Sequence, residues 1–437
     1  MILLKNATIV TGASTMKGAL GIDGEIISGI WKDIPDIPGA EVIDLEGRIL
    51  MAGGIDTHVH FREPGMTWKA DIGSESAAAV LGGITSFIDM PNNSPAATTM
   101  EAIEWKLGRA KETSAANYGF HIGATNSNAS QIREYIESGK GDRFGGIKVF
   151  MGSSTGNMLV DRENALEDLF RIKGKTILIH SEDENIIKTN LANARATFGE
   201  DIPFEYHPLI RSREACVKST EKALELAVKH GTRLHVLHVS TMDEADMIRQ
   251  AKKANPLITA ETSANYLWFC DKDYSKMAGK LKCNPAVKAA EDREALIEAL
   301  RDGTIDTIGS DHAPHLIEEK LKPYLECPSG LPTIQQSLAA VLTIADDHGI
   351  PLTRIASAFS ERAAEIFGIE KRGFLKPGYK ADLIVIDPDK EFIVGRPAHK
   401  CGWSPYEGMT MRGSIDMVWV NGRTQGSAAE PLSFRTN

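Results

Sequence analysis

Two histidines one residue apart, His58 and His60, form the short motif of this sequence that is best suited to chemistry. In a β-strand, side chains at positions i and i+2 point to the same face, so both imidazoles can reach one ion. Imidazole nitrogens are common ligands of zinc and related metals. A lone His-x-His pair is more often two core or surface histidines, and the metal hypothesis therefore needs ligands from elsewhere in the chain.

The middle of the chain contains eight apolar, β-branched runs, most of them separated by Ala- and Glu-rich segments with helical spacing. Continuous apolar strands separated by helices indicate a parallel sheet that is buried on both faces. A count of eight favours a closed (β/α)₈ barrel over an open doubly wound sheet. The predicted strands cover residues 54–61, 84–90, 118–123, 147–151, 176–180, 234–239, 257–260 and 304–309.

Further side chains that could bind a metal lie at or near the ends of these runs. They are Lys148, His180, His238 and Asp311, and Asn92 follows the second run. Active sites of such barrels lie at the carboxyl ends of the strands, so the fold would bring these residues to the same rim as His58 and His60. Independent core or surface residues would not be expected to cluster there, and the pattern therefore predicts a metal site.

Alternation along a strand separates these candidates from histidines with structural roles. His235 and His238 have opposite parity, so we predict that His238 faces the site and that His235 packs against the outer helices. Lys148 would be costly to bury as a charge. Either its ammonium extends to the rim, or carbon dioxide carboxylates the amine and creates an anionic ligand able to bridge two metals.

Both ends of the chain are rich in short β runs with glycine-containing turns. We predict that residues 1–52 and 365–437 together form a small β-sandwich domain and that residues 53–364 form the barrel. Two separate β appendages would give the same pattern.

The composition is that of an ordinary globular protein, with 42% hydrophobic and 25% charged residues. A net charge of -10 argues against binding to nucleic acid or to an anionic membrane. The five cysteines are scattered without a C-x-x-C pair, and the sequence has neither a signal-peptide core nor an apolar run of membrane-spanning length. We therefore expect a cytoplasmic protein with reduced thiols.

The sequence resembles the dihydroorotases of the amidohydrolase superfamily over essentially its whole length. The matching segments are residues 56–65, 89–95, 146–151, 180–183, 238–241, 310–315, 375–383 and 404–408. The resemblance implies two zinc ions. One would be held by His58, His60 and Asp311 and the other by His180 and His238, with carboxylated Lys148 and a hydroxide as bridges.

The resemblance also implies how the substrate is bound and cleaved. Asp311 would act as general base and then as general acid. Arg62, Asn92 and His315 would bind a substrate carboxylate, and Asn284 would contact the pyrimidine ring. We place Thr155, in the Gly/Ser-rich stretch after the fourth strand, on a lid over the substrate.

Arg62 bears most on the choice of substrate. It lies two residues beyond His60, which is the strand parity that faces the site, and its planar guanidinium suits a carboxylate. The alternative is a surface ion pair with Glu63. Two departures from the family pattern, at residues 263–268 and 284–288, affect the expected substrate geometry and leave the predicted metal ligands in place.

The expected activity is reversible zinc-dependent interconversion of dihydroorotate and N-carbamoyl-L-aspartate in pyrimidine biosynthesis. A hydantoinase- or allantoinase-like cyclic amidohydrolase is the alternative, and Arg62 argues against it. A non-catalytic scaffold subunit is a third possibility, but every predicted ligand position is filled. We expect a small-molecule substrate, no nucleic-acid or membrane partner, and a possible homo-oligomer.

Overall fold

The computed structural model describes residues 1–152, 158–424 and 429–436. The strands are β1 (Ile2–Val10), β2 (Thr15–Asp23), β3 (Ile26–Trp31), β4 (Glu41–Asp44), β5 (Ile49–Ala52), β6 (Gly54–Val59), β7 (Ile84–Asp89), β8 (Asn117–Phe120), β9 (Ile122–Gly123), β10 (Ile147–Phe150), β11 (Ile177–His180), β12 (Leu234–Val236), β13 (Ile258–Thr262), β14 (Thr307–Ile308), β15 (Leu383–Ile393) and β16 (Thr410–Trp419).

Helices separate most of the strands between β6 and β15. They are α1 (Ile72–Leu81), α2 (Met100–Thr113), α3 (Ala129–Glu137), α4 (Glu163–Phe170), α5 (Glu184–Phe198), α6 (His207–Ile210), α7 (Arg213–His230), α8 (Met242–Ala254), α9 (Ala264–Trp268), α10 (Tyr274–Met277), α11 (Ala290–Asp302), α12 (Ile317–Lys320), α13 (Ile334–His348), α14 (Leu352–Ala356) and α15 (Arg362–Phe367). Short 3₁₀ turns cover Lys140–Arg143, Phe204–Tyr206, Asp271–Asp273 and Ala278–Leu281, and a π-helical turn at Ser357–Glu361 joins α14 to α15.

Strands β6 to β14 form the parallel barrel that the sequence predicts. β6, β7 and β8 make one sheet and β9 to β14 make a second, in sequence order throughout. The third predicted strand is broken at His121, which divides it into β8 and β9. The barrel closes between its first and last strands, where Val59 bridges His312 and the His60 amide donates to the His312 carbonyl at 2.8 Å. Residues of these strands are buried throughout, as expected when both faces of a parallel sheet are covered.

Strands from both ends of the chain form one seven-stranded sheet in the order β16-β15-β5-β1-β2-β3, with β4 paired to β1. β15 pairs with β5 antiparallel, so the last strands of the chain add directly to the first ones. The apolar core of this seven-stranded sheet includes the buried residues Leu4, Leu20, Leu50, Leu383 and Trp419. The fold class is therefore confirmed as a barrel with a sandwich of terminal strands, whereas the domain boundaries at residues 52 and 365 stay a prediction.

The link between β11 and α5, next to the candidate site, is short. β11 ends at His180, and Asp183 already caps α5 by accepting from the amides of Asn185 and Ile186. No helix in the described part of the chain is long and apolar enough to cross a bilayer.

Candidate metal centre

A cavity of about 330 Å³ opens at the carboxyl ends of the barrel strands. It brings together ten of the predicted site residues: His58, His60, Arg62, Asn92, Lys148, His180, His238, Asn284, Asp311 and His315. Thr155, predicted to lie on a lid, is outside the described residues. Met66, Phe150, Ala313 and the segment 328–330 complete the wall.

His58, His60 and Asp311 converge on one point in this cavity. Oδ1 of Asp311 lies 3.3 Å from Nε2 of His58 and 3.2 Å from Nε2 of His60. The three ligand atoms are near enough to one another to hold a single metal ion. β6 supplies His58, and His60 follows the strand immediately.

The second ring nitrogen of each of these histidines is already bonded to an oxygen. Nδ1 of His58 lies 2.6 Å from Oε1 of Glu261, and Nδ1 of His60 lies 2.7 Å from Oδ1 of Asn92. A carboxylate oxygen can only accept, as does the amide oxygen, so each Nδ1 carries the proton. Each Nε2 therefore presents its lone pair towards Asp311, which is the tautomer that binds a metal.

His180 and His238 form a second pair of nitrogens in the cavity, and the His238 ring lies 5.2 Å from the His58 ring. Nδ1 of His180 and Nε2 of His238 lie 2.9 Å apart. Nε2 of His180 lies 2.8 Å from the buried carboxylate of Glu182, which also pairs with Arg211. Burial opposes ionisation of Glu182, but Arg211 and His180 outweigh it and hold the pKa of this carboxyl well below its usual range.

His238 reaches the cavity by a route that strand parity does not describe. β12 ends at Val236, and His238 has a left-handed backbone with φ of 38°. His235 does not line the cavity, and its ring lies beside Phe367 of α15, in keeping with the predicted structural role. It also lies 3.8 Å from the same Glu261 carboxylate that holds His58. Leu237 likewise joins the apolar cluster that contains Ile55 and Leu178, so alternation continues through residue 237 and is broken at residue 238.

Asp311 shows the same backbone feature at the end of β14, with φ of 46°. Burial raises the pKa of Asp311, but the neighbouring His58, His60 and Lys148 outweigh this effect and lower it. The carboxylate is therefore ionised. Burial also lowers the pKa values of His58, His180 and His238, which keeps their rings neutral and able to coordinate.

Lys148 projects from β10 into the same cavity and is 1% exposed. Its Nζ lies 4.6 Å from the centre of the Phe150 ring. Burial lowers the pKa of Lys148 to about 7, although Asp311 and Glu261 oppose the shift. A substantial fraction of the amine is therefore unprotonated near neutral pH, which is the form that can react with carbon dioxide.

The residues fit a metal centre because lone pairs converge at one point of the cavity. The Nε2 atoms of His58 and His60 carry no proton, and together with Oδ1 of Asp311 they offer three ligand atoms close to one another. Nitrogen and carboxylate ligands of this kind suit zinc and other first-row transition metals.

A second buried group of possible ligands, Glu75, His312 and His399, is less suited to a metal. Nδ1 of His312 accepts from the amides of Thr333 and Ile334, so Nε2 carries the proton and donates to Glu75 at 2.8 Å. No lone pair of His312 is left for an ion. This group therefore anchors the segment next to Asp311 and is a structural cluster.

Arg62 lies in the cavity wall rather than on the surface. It is 6% exposed, and its left-handed backbone (φ 63°) directs the side chain inward after β6 has ended. Its Nε donates to the Pro314 carbonyl at 3.2 Å, and one terminal nitrogen lies 3.1 Å from Nε2 of His315. The alternative of an ion pair with Glu63 is wrong, because Arg109 binds the Glu63 carboxylate at 2.6 Å.

Asn284 lies across the cavity from these residues in the part of the site predicted to contact a substrate ring. Its buried Oδ1 has no hydrogen-bond partner among the described residues. Buried polar atoms are normally satisfied, so this oxygen is suited to accept a hydrogen bond from a bound ligand.

Sequence reasoning missed the residues that hold the predicted ligands. Glu261 is a carboxylate inside the apolar strand β13, and Gly309 leaves it room because a Cβ at that position would collide with it. Glu182 follows His180 by two residues. An acidic residue within or directly after a buried strand was the available signal, because a buried carboxylate requires a partner.

Comparison with known proteins agrees with this architecture. The amidohydrolase family matches residues 49–424. The dihydroorotase of Methanosarcina acetivorans is 35% identical over 418 residues, which cover 93% of this chain and 88% of that protein. The allantoinase of Streptomyces avermitilis is 29% identical over 443 residues, covering 98% and 97%.

A solved structure of the L-hydantoinase (dihydropyrimidinase) from Arthrobacter aurescens has a TM-score of 0.92 to this chain at 27% identity. The match covers 100% of this chain and 98% of the other. The family match covers most of the chain, and the relatives match it almost from end to end. The chain therefore belongs to the amidohydrolase family and is a hydrolase.

Proposed function

We propose that this enzyme is a dihydroorotase, which opens and closes the ring between dihydroorotate and N-carbamoyl-L-aspartate in pyrimidine biosynthesis. Its family and relatives make it a hydrolase of cyclic amide bonds that acts on a small molecule. The observation that carries the narrower proposal is the buried guanidinium of Arg62 in the wall of the cavity, beside His315. A guanidinium in that position is suited to a substrate that carries a carboxylate next to its cyclic amide.

The proposal includes two zinc ions. His58, His60 and Asp311 would hold one ion, His180 and His238 the other, and carboxylated Lys148 would lie between them. When bound, such ions lower the pKa of a water molecule and polarise a carbonyl group. The converging lone pairs of the histidines and the low pKa of Lys148 support this ligand set.

Asp311 is the proposed proton carrier. Its carboxylate is ionised and faces the centre of the cavity, so it can accept a proton from the attacking water. It would then deliver this proton to the ring nitrogen that leaves. Glu261 and Asn92 hold His58 and His60 in place while Asp311 changes its protonation state.

The remaining cavity residues would orient the substrate. Arg62, supported by Asn92 and His315, would bind its carboxylate, and Asn284 Oδ1 would accept from a ring N–H. Because these groups come from four different segments of the chain, they can fix a small ring in one orientation relative to Asp311. A cytoplasmic location and a homo-oligomeric state stay predictions.

A hydantoinase- or allantoinase-like activity is the second candidate. The structural match to L-hydantoinase and the 29% identity to an allantoinase favour it. These two activities differ from the proposed one in whether the substrate carries a carboxylate, so the residue to test is Arg62. A scaffold role is disfavoured, since all six predicted ligands line one cavity.

The experiment is to assay the purified protein and Arg62→Met against dihydroorotate, hydantoin and allantoin while measuring bound metal. Charge-assisted hydrogen bonds contribute about 1.5–3 kcal/mol, so Arg62→Met should lower kcat/KM for dihydroorotate roughly tenfold to over a hundredfold. Turnover of uncharged hydantoin should change far less, because the metal ligands are intact.

Arg109→Met is the matched control, since this arginine pairs with the neighbouring Glu63 and does not line the cavity. This variant should rank the three substrates by kcat/KM in the same order as the wild type. If wild type prefers hydantoin or allantoin, or if Arg62→Met reduces all three activities equally, the second candidate takes the place of the first.

A further inference from the structure

His315 is held from both ring nitrogens in the cavity wall. Nδ1 lies 3.0 Å from the ammonium of Lys69. Nε2 lies 3.1 Å from the Ser329 carbonyl and 3.1 Å from a terminal nitrogen of Arg62. His315 is 7% exposed, so these contacts decide where its proton lies.

The contact with Lys69 fixes the tautomer of this ring. An ammonium has only donors, so Lys69 favours a lone pair on Nδ1 of His315, and the Ser329 carbonyl, which can only accept, favours the proton on Nε2. A neutral imidazole then carries its proton on Nε2, which donates to the Ser329 carbonyl. Burial, followed by the charge of Arg62, lowers the pKa of His315 far below its usual range, so the ring is neutral.

This tautomer has a consequence for Arg62. The Nε2–H of His315 and the N–H groups of the Arg62 terminal nitrogen are all donors, and they face each other at 3.1 Å. Neither group can accept a hydrogen bond from the other. The Nε2–H of His315 is used by the Ser329 carbonyl, so the terminal N–H groups of Arg62 are left to bind an anionic group at the cavity wall.

The opposite tautomer would remove this arrangement. Oε2 of Glu319 lies 3.9 Å from Nδ1 of His315 and would favour a proton there if Lys69 were absent. Nε2 would then accept from Arg62, so the ring would lose its donor and one arginine donor would be used internally. Lys69 prevents this, because it binds Nδ1 itself and pairs with Glu319 at 2.7 Å.

We propose that Lys69 is a positioning residue which holds His315 in its Nε2–H tautomer, so that Nε2 cannot accept from Arg62 and the terminal N–H groups of Arg62 stay available to an anionic group of the substrate. Lys69 is 6% exposed and is not part of the cavity wall, so it acts through His315. The role in substrate binding rests on the proposed function, whereas the effect on the tautomer does not.

The tautomer can be read directly by NMR of the metal-loaded enzyme labelled with ¹⁵N-histidine. Correlations between ring nitrogens and ring carbon-bound protons distinguish the two tautomers, and His315→Asn identifies the signals of this ring. Wild type should show Nε2–H. Lys69→Met should shift His315 towards Nδ1–H.

Two further variants separate this role from simple packing. Lys69→Arg keeps a donor at Nδ1 and should keep the Nε2–H tautomer. Glu319→Gln breaks the ion pair of Lys69 but leaves its contact with His315, and it should also retain Nε2–H. If Lys69→Met keeps Nε2–H, or if Glu319→Gln shifts the tautomer as strongly as Lys69→Met, the proposal is overturned.

Kinetics of the same variants test the link to substrate binding. Lys69→Met should lower kcat/KM for dihydroorotate on the order of tenfold to a hundredfold, mainly through KM, and Lys69→Arg should recover most of this loss. Turnover of an uncharged cyclic imide should change less than about threefold. If the wild type does not turn over dihydroorotate, the proposed function fails while the NMR result still decides the role of Lys69.

Discussion

At the scale of single residues, the candidate centre is organised by what each ligand does with its second polar atom. Glu261, Asn92 and Glu182 each accept from one ring nitrogen of His58, His60 and His180. This fixes both the tautomer and the direction of the lone pair before any ion binds. The donors are therefore preorganised, and the cost of ordering them is met by folding rather than by metal binding.

Lys148 provides the prediction at this scale. Lys148→Ala should remove most bound metal and abolish turnover, because the proposed bridging carboxylate is lost. A small added carboxylic acid should restore part of the activity by occupying the vacated space. The measurements are metal content per chain and initial rate with and without the added acid.

Lys175→Ala is the control for the loss of a buried lysine. Lys175 is also buried, and its ammonium lies over the rings of Phe144 and Phe434, outside the cavity. This variant should be less stable but keep its metal. Normal metal content and turnover in Lys148→Ala would show that Lys148 is not a bridge.

At the scale of elements, the residues that follow the strands orient more of the cavity side chains than the residues within the strands. His238 and Asp311 follow β12 and β14 in left-handed conformations, and Arg62 does so after β6. These turns direct the side chains into the cavity, and for His238 simple alternation would direct the side chain elsewhere. The segment 328–330 of the cavity wall, next to His315, is fixed by Lys320 at the end of α12, whose Nζ donates to the carbonyls of Lys282 at 2.9 Å, Pro328 at 2.7 Å and Gly330 at 3.0 Å.

We expect Lys320→Met to loosen this wall. The variant should raise KM and lower the free energy of unfolding by roughly 1–3 kcal/mol, because carbonyls lose a buried donor. Metal content should be unchanged, since no predicted ligand is touched. Lys322→Met is the matched control, because Lys322 is half-exposed and pairs only weakly with Glu326 at 3.6 Å.

The same substitution should also alter the pH dependence of stability. Burial lowers the pKa of Lys320 to about 7, whereas an unfolded lysine titrates near about 10.4. Between these values the unfolded chain binds more protons, so this group adds a component of stability that rises with pH. The destabilisation caused by Lys320→Met should therefore be larger at pH 9 than at pH 7. If urea unfolding shows a smaller destabilisation at pH 9 than at pH 7, the pKa of Lys320 is not lowered in the folded protein.

At the scale of the whole molecule, one face of the terminal sheet has an apolar cluster of its own, whereas residues such as Ile49, Met51 and Ile384 join the apolar cluster of the barrel. The cluster around Leu50, Leu383 and Trp419 belongs to the terminal sheet, and the residues that line the cavity are not part of it. β5 connects the two parts because it pairs with β15 and leads through Gly53 into β6. The terminal sheet is therefore expected to affect stability more than chemistry.

Trp419→Ala tests this expectation. Removing a side chain that is 1% exposed should cost about 3–5 kcal/mol of stability, measured by chemical unfolding. Metal content and kcat should remain close to wild type at temperatures well below the transition. Trp105→Ala, at a half-exposed position on α2, should change stability by less than about 0.5 kcal/mol. Loss of metal in folded Trp419→Ala would mean that the terminal sheet shapes the site.

The sequence by itself determined the barrel and the six candidate ligands that meet in the cavity, whereas His315 and Asn284 were assigned by the family resemblance and a single terminal sheet was one of two alternatives. Continuous apolar runs with polar residues at their ends are sufficient for this, because strand ends of a parallel barrel share one rim. The predicted ligands were therefore identified from local patterns. The roles assigned to them stay predictions that the experiments above address.

Only the tertiary structure decided how those residues are oriented and held. Strand parity did not account for how His238 reaches the cavity, because left-handed residues after the strand ends are not visible as a periodicity. Glu261, Glu182 and Lys69 come from elements whose contacts with the histidines depend on how the strands and loops pack. A sequence pattern specifies which side chains reach a rim, whereas the direction of each lone pair and proton depends on neighbours that are brought together by folding.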